Sequence, residues 1–149
     1  SEDMKAIINA LVKRGLPAAV AKERLKNLPS GMFPHHNFNV CYIGVGQITG
    51  AVPTTLENMN NCMINSGIVK KIAKNKLVVA RQMLEYENRK LILGSSREET
   101  AVAYLPQLLK SVKVGDTVAL HWNFATAILT KQQAANLSKY TEKLLLQLK

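Results

Sequence analysis

The stretch VKVGDTVALHWNFATAILT at residues 112–130, running into KQQAANLSKYTEKLLLQL at 131–148, decides the fold. Gly115-Asp116 marks a turn, and the β-forming run after it reads as a strand that stays extended through NFATAILT. By alternation Val118, Leu120, Trp122 and Phe124 share one face, a core stripe, which leaves His121 on the other face with Thr117, Ala119 and Asn123. Thr130 then caps a terminal helix that carries Leu137, Tyr140, Thr141, Leu144 and Leu148 along one stripe.

Upstream lie more short β-forming runs: GIVKKI (67–72), KLVVARQMLEYE (76–87), KLILG (90–94) and REETAVAY (97–104), separated by KNK and ENRK turns. LPQLLKS (105–111) is a short helix or loop. Four to six such strands before a helix predict an α+β fold whose residues 61–149 form a small OB-like β-barrel, closed or partly open, with a C-terminal helix. Residues 31–60 read as a linking section. There HNFNVCYIGVGQITG (36–50) is predicted as an extra strand, followed by a short helix, TLENMNNCM, capped by Thr54 or Thr55. Cys62 falls at the end of that helix, directly ahead of a strand. Residues 1–30 form an N-terminal helical segment. Met4, Ile7, Ile8, Leu11 and Val12 stripe its first helix, with Asp3 as N-cap and Gly15 past its end, and a second helix occupies about 18–27.

With 47% hydrophobic residues the 149-residue chain is not disordered, and no apolar run reaches the ~18–20 residues of a membrane helix, so no membrane partner is expected. The charged opening SEDMKAIINALVKRG is unlike a signal peptide, and two cysteines make no disulfide framework, which together predict a cytoplasmic protein. The net charge of +10 admits an anionic partner, but the cations are scattered and aromatics few, so nucleic acid is disfavoured. Nothing reads as an enzyme: there is no nucleophile motif, phosphate-binding glycine loop or HExxH, and Asp116 is explained by its turn. Cys41, between Val40 and Tyr42, reads as core. His35 and His36, adjacent in a predicted strand, would face opposite ways, so at most one could ligate a metal together with Cys62.

From Cys62 onward the order of features, CMINSG, then VGDTVALHWNFA, then LTKQQAANLSKYTEKLL, resembles the small hydrogenase-maturation chaperones of the HypC/HupF type. Those carry an opening Cys, a nearby Gly, a small β-barrel, a VGD-x-V-x-VH-x-GFA strand and a final helix. The added N-terminal part, with PHHNFNV at 34–40, is similar to a set of hydrogenase-associated proteins bearing a PHHxFxV segment. Departures are the internal position of Cys62, Asn65-Ser66 in place of the usual Pro, and Trp122-Asn123 in place of Ala-Gly.

The resemblance implies a non-enzymatic carrier. Cys62 and His121 would transiently hold an iron group bearing cyanide and carbonyl, passed from a scaffold protein to a hydrogenase large-subunit precursor. A thiolate is a soft ligand for iron and an imidazole a borderline one. A shared ion requires Cys62 Sγ and His121 within roughly 4–7 Å. The competing readings are an OB-like module for nucleic acid or another anion, and a purely structural interaction domain without metal.

Overall fold

The computed structural model describes residues 2–148. Helix α1 (Glu2–Val12) buries Met4, Ile8 and Leu11, the inner part of the predicted stripe, while Val12 stays exposed at its edge. Asp3 is not a cap; it lies with Glu2 in the first turn, where negative charge suits the helix dipole. Gly15 follows with φ +111°, and a Cβ there would meet the Ile48 carbonyl oxygen at 2.5 Å, so the chain can reverse here only through glycine. Helix α2 spans Ala18–Lys26.

The predicted extra strand does not form. Residues 36–50 instead make a short helix, α3 (His36–Phe38), that continues as a π-helix (Asn39–Gly44) and ends in turns. His35, itself extended, caps α3 by accepting the Asn37 N–H on Nδ1 at 3.1 Å. The β-branched and aromatic content misled because these side chains are buried against the helical core without the segment forming a strand. Phe38, Val40, Tyr42 and Ile43 are all buried, and Phe38 stacks on Tyr42 one turn later at 5.3 Å. Buried and without a strand to pair with, its backbone satisfies itself helically. The linking section therefore holds no strand: short helices alternate with turns and irregular stretches, the last helix being α4 (Leu56–Cys62), capped by Thr55, one of the two predicted candidates.

Seven strands follow: β1 (Asn65–Ala73), β2 (Lys76–Arg81), β3 (Leu84–Glu87), β4 (Lys90–Leu93), β5 (Glu98–Ala103), β6 (Thr117–His121) and β7 (Phe124–Leu129). The fold is mixed α+β. Five strands pair in the order β1-β2-β5-β7-β6, with β6 returning to β1, and the β5–β7 joint rests on a single parallel pair, Ala103–Phe124. The run 76–87, predicted as one strand, breaks at Gln82-Met83, because β3 leaves the five-stranded sheet to pair with β4 in a separate hairpin. Nor does the chain stay extended past His121. Trp122 and Asn123 both take left-handed φ, +51° and +56°, in a two-residue turn that folds β7 back on β6. Val118 and Leu120 are core as expected, but Trp122, carried by that turn, leaves the stripe and is 42% exposed.

Helix α5 (Lys131–Gln147) opens on a full capping box, Thr130 with Gln133. It buries Thr141, Leu144 and Leu145, whereas Tyr140, predicted on the stripe, is exposed. One core lies inside the sheet around Val69, Leu77, Val79, Val118 and Leu120. A second joins the N-terminal helices to α5 and the β3–β4 hairpin.

Two buried asparagines tie these parts together. Asn37 Oδ1 accepts from Ile64 N–H at 2.8 Å, and its Nδ2 donates to Ile64 O at 3.1 Å and to Thr141 Oγ1 at 3.0 Å. Asn60 likewise grips the Leu84 backbone, accepting its N–H at 2.6 Å and donating to its carbonyl at 3.1 Å. Asn37→Ala would leave Ile64 N–H and the Thr141 hydroxyl without this partner, which is expected to cost about 1–3 kcal/mol in urea unfolding. A change under 1 kcal/mol would mean that water reaches these groups.

Candidate metal centre

Cys62 ends α4, His36 begins α3, and His121 ends β6. Three chain segments, 26 and 59 residues apart from Cys62, thus converge. Cys62 Sγ lies 3.7 Å from His36 Nε2 and 3.9 Å from His121 Nε2, and the two imidazoles meet edge-to-face at 5.0 Å between centroids. One donor atom from each residue falls within 4.8 Å of the others. A tetrahedral site with ordinary bond lengths has N···S edges of about 3.6 Å, so the two edges at sulfur need little adjustment.

The local fold explains this convergence. Asn37 fixes Ile64, two residues beyond Cys62, and thereby sets where His36, its own neighbour, meets the thiol. The turn after His121 is pinned at three points. Trp122 N–H donates to Asn61 O at 2.6 Å, Asn123 O accepts from Ala103 N–H at 2.9 Å, and Arg81 Nη2 donates to Asn123 Oδ1 at 3.0 Å. Arg81 is only 2% exposed and makes no ion pair among the described residues; Thr100 Oγ1 takes its Nε–H. A bulky residue at positive φ costs energy, and these ties hold Trp122 there.

The protonation states favour neutral donors. Burial holds the Cys62 thiol above its ordinary pKa, a shift only partly offset by a hydrogen bond with Trp122. His121 is held below its ordinary value by burial and then by the neighbouring His36, so its imidazole is neutral near pH 7. The Cys62 S–H can then donate to His121 Nε2. His36 Nε2 donates to the Cys62 carbonyl at 3.0 Å, so ligation through this atom requires its proton to move to Nδ1. Beside His36 and Cys62, which help line it, opens a cleft of about 310 Å³, largely apolar, walled by Val40, Val45, Val52 and Trp122. It leaves room for a further ligand on the ion.

Of the candidate residues, the structure brings together Cys62, His121 and His36. His35 is elsewhere: its Nδ1 is engaged in capping, and its ring packs edge-on to Phe33 at 6.2 Å. Adjacent histidines do part company, though at a helix start and not along a strand. Cys41 sits on the π-helix, packed against the helical core. Sequence reasoning missed Trp122, Asn37 and Arg81, whose parts in the site depend on turn geometry and long-range contacts that no spacing announces.

Burial pushes the Cys41 thiol up to about 12, the charge of Cys62 adding to the effect. Its thiolate fraction at pH 8 is therefore about a thousandfold below that of an ordinary thiol. Iodoacetamide at pH 8 should alkylate Cys62 first and more slowly than free cysteine, and Cys41 only on unfolding, as read by peptide mass spectrometry. Faster labelling of Cys41 would contradict this order.

No curated protein matches the sequence. A family model for DUF6390, described as a family of unknown function, matches residues 3–149, a span that takes in the N-terminal helices, the sheet, α5 and all three converging side chains. By that match the chain belongs to the DUF6390 family.

Proposed function

We propose that this protein is a non-enzymatic metal-holding accessory factor, with His36, Cys62 and His121 as the ligands of a carried ion. The observation that carries this reading is the meeting of two imidazoles and one thiol, from three separate segments, within 4.8 Å. Two nitrogens and one sulfur suit iron, cobalt or zinc better than calcium or magnesium. Three protein ligands beside an open cleft suit cargo that must leave again, whereas a closed four-ligand site would retain it.

The HypC/HupF-type resemblance supplies the finer version. The five-stranded sheet is an OB-like barrel of that kind, and the cargo is an iron group bearing cyanide and carbonyl. The donor or acceptor is a hydrogenase scaffold or large-subunit precursor, met in the cytoplasm. The proximity of Cys62 and His121, 3.9 Å apart, supports this version, and His36 extends the ligand pair by one. A purely structural domain would be favoured by a fully buried Cys62 far from His121; Cys62 is half-buried and adjacent. The anion-binding alternative draws on lysines at the other end of the sheet, remote from these ligands.

Titration of the full chain with Co²⁺ tests the site. Wild type is expected to give a sulfur-to-cobalt charge-transfer band, absent in Cys62→Ser, and His36→Ala or His121→Ala should each weaken binding by about 10–100-fold. Cys41→Ser should match wild type. Because the ion must displace the proton of a thiol whose pKa is raised, affinity should climb about tenfold per pH unit from neutrality up to that pKa, with one proton released per ion. His121, already neutral, adds no proton over this range. For the cargo, co-expression with a hydrogenase precursor and anaerobic purification should show iron and partner retention that Cys62→Ala abolishes. Unchanged iron and partner retention in Cys62→Ala would remove the carrier reading.

A further inference from the structure

Strand β1, nine residues long, begins beside the candidate metal centre and ends at a different surface. At ~3.3 Å per residue that surface is about 25 Å away, at the opposite end of the sheet. There the last four residues of β1, Lys70–Ala73, are exposed on both faces, and the β1–β2 hairpin projects beyond the core. The loop at 104–116 is fastened beside it. Gly115 N–H donates to Val69 O at 2.9 Å, Val69 N–H to Asp116 O at 2.8 Å, and Tyr104 N–H to Asn75 O at 3.3 Å.

This end gathers Lys70, Lys71, Lys74, Lys76, Lys110 and Lys113, all exposed and none in an ion pair among the described residues. Asp116, the acidic residue within the loop, is occupied with the Lys113 N–H at 2.9 Å. The same end also exposes large aliphatic side chains: Leu105 at 53%, Leu108 at 58%, Val114 at 61% and Ile72 at 38%. The loop is anchored from beneath by buried Tyr104 and Leu109, so Leu105 and Leu108 project outward from a fixed base.

We infer that this end of the sheet is a peripheral docking surface for an anionic lipid bilayer, with the lysines over the headgroups and the leucines and valine in the interfacial layer. Composition selects this partner. Protein interfaces concentrate Trp, Tyr and Arg and are poor in Lys, whereas this patch is lysine and aliphatic with no exposed aromatic or arginine among its residues. Nucleic acid would use the lysines but leave four aliphatic side chains without a role, and it would find no ring to stack on. Anionic lipid engages both classes at once: charge attracts the lysines, and the apolar side chains leave water. No helix among the described residues is long and apolar enough to cross a membrane, so attachment would be to the surface. Docking here leaves the metal centre facing away from the bilayer, open to a partner.

The test is co-sedimentation of the full chain with vesicles of phosphatidylcholine alone or with one third phosphatidylserine, at low and physiological salt. Binding is expected only with phosphatidylserine. The exposed triple variant Lys70→Gln/Lys71→Gln/Lys74→Gln should bind roughly a hundredfold more weakly, at about fivefold per lysine. Leu105→Ser/Leu108→Ser should lose roughly tenfold while retaining all charge. Circular dichroism and Co²⁺ binding should be unchanged in both variants, which separates this inference from the metal reading. It is overturned if the unaltered chain ignores phosphatidylserine vesicles at low salt, or if the leucine variant binds as tightly as the parent. Tighter capture of polyuridine or polyglutamate than of the vesicles would equally overturn it, in favour of nucleic acid or an acidic protein.

Discussion

The buried carboxamide of Asn37 is the constraint on which the rest depends. It is fully enclosed and makes three hydrogen bonds, two to the Ile64 backbone and one to Thr141. These tie the linking section, the start of β1 and α5 together at one point. A buried amide with its partners in place is worth little more than apolar packing, but one missing partner is costly, so the arrangement tolerates few alternatives. That selectivity fixes the direction in which α3 leaves its cap, and hence where His36 arrives.

The meeting of His36, Cys62 and His121 follows from element ends more than from elements. Each of the three side chains sits where a helix starts, a helix stops or a strand turns. At such places the backbone changes direction, and side chains far apart in sequence can face one another. The cost is carried nearby: Trp122 and Asn123 at positive φ, and Arg81 buried without an ion pair among the described residues. Burial also favours the protonated thiol, which slows oxidation of a half-exposed cysteine.

Much of this was readable from the residues, and the failures share a cause. Helix α1 announced itself through periodicity, α4 through its cap and α5 through both, and most strands through short β-forming runs between turns. The segment 36–50 misled because β-branched and aromatic composition reports burial as readily as it reports strand, and the surrounding core decided between them. Trp122 misled because alternation was carried across a turn that only its backbone angles reveal. At the site, Cys62 and His121 came from the order of motifs. His36 was held back by assigning its segment to a strand, and its place beside Cys62 needed the Asn37 contact, which joins residues 27 and 104 positions apart.

The partner of Asn37 at residue 64 is main chain, and every amino acid except proline offers the same N–H and carbonyl. The side chain at 64 can therefore change through evolution without Asn37 registering it, and the same holds for the backbone at 84 as seen by Asn60. Related sequences would show two asparagines held constant, with position 141, which meets Asn37 through its side chain, the one partner able to register a change. The main-chain contacts that organise this molecule would leave no covariation signal. They would show only as a pair of unaccountably fixed amides and an exclusion of proline from two sites.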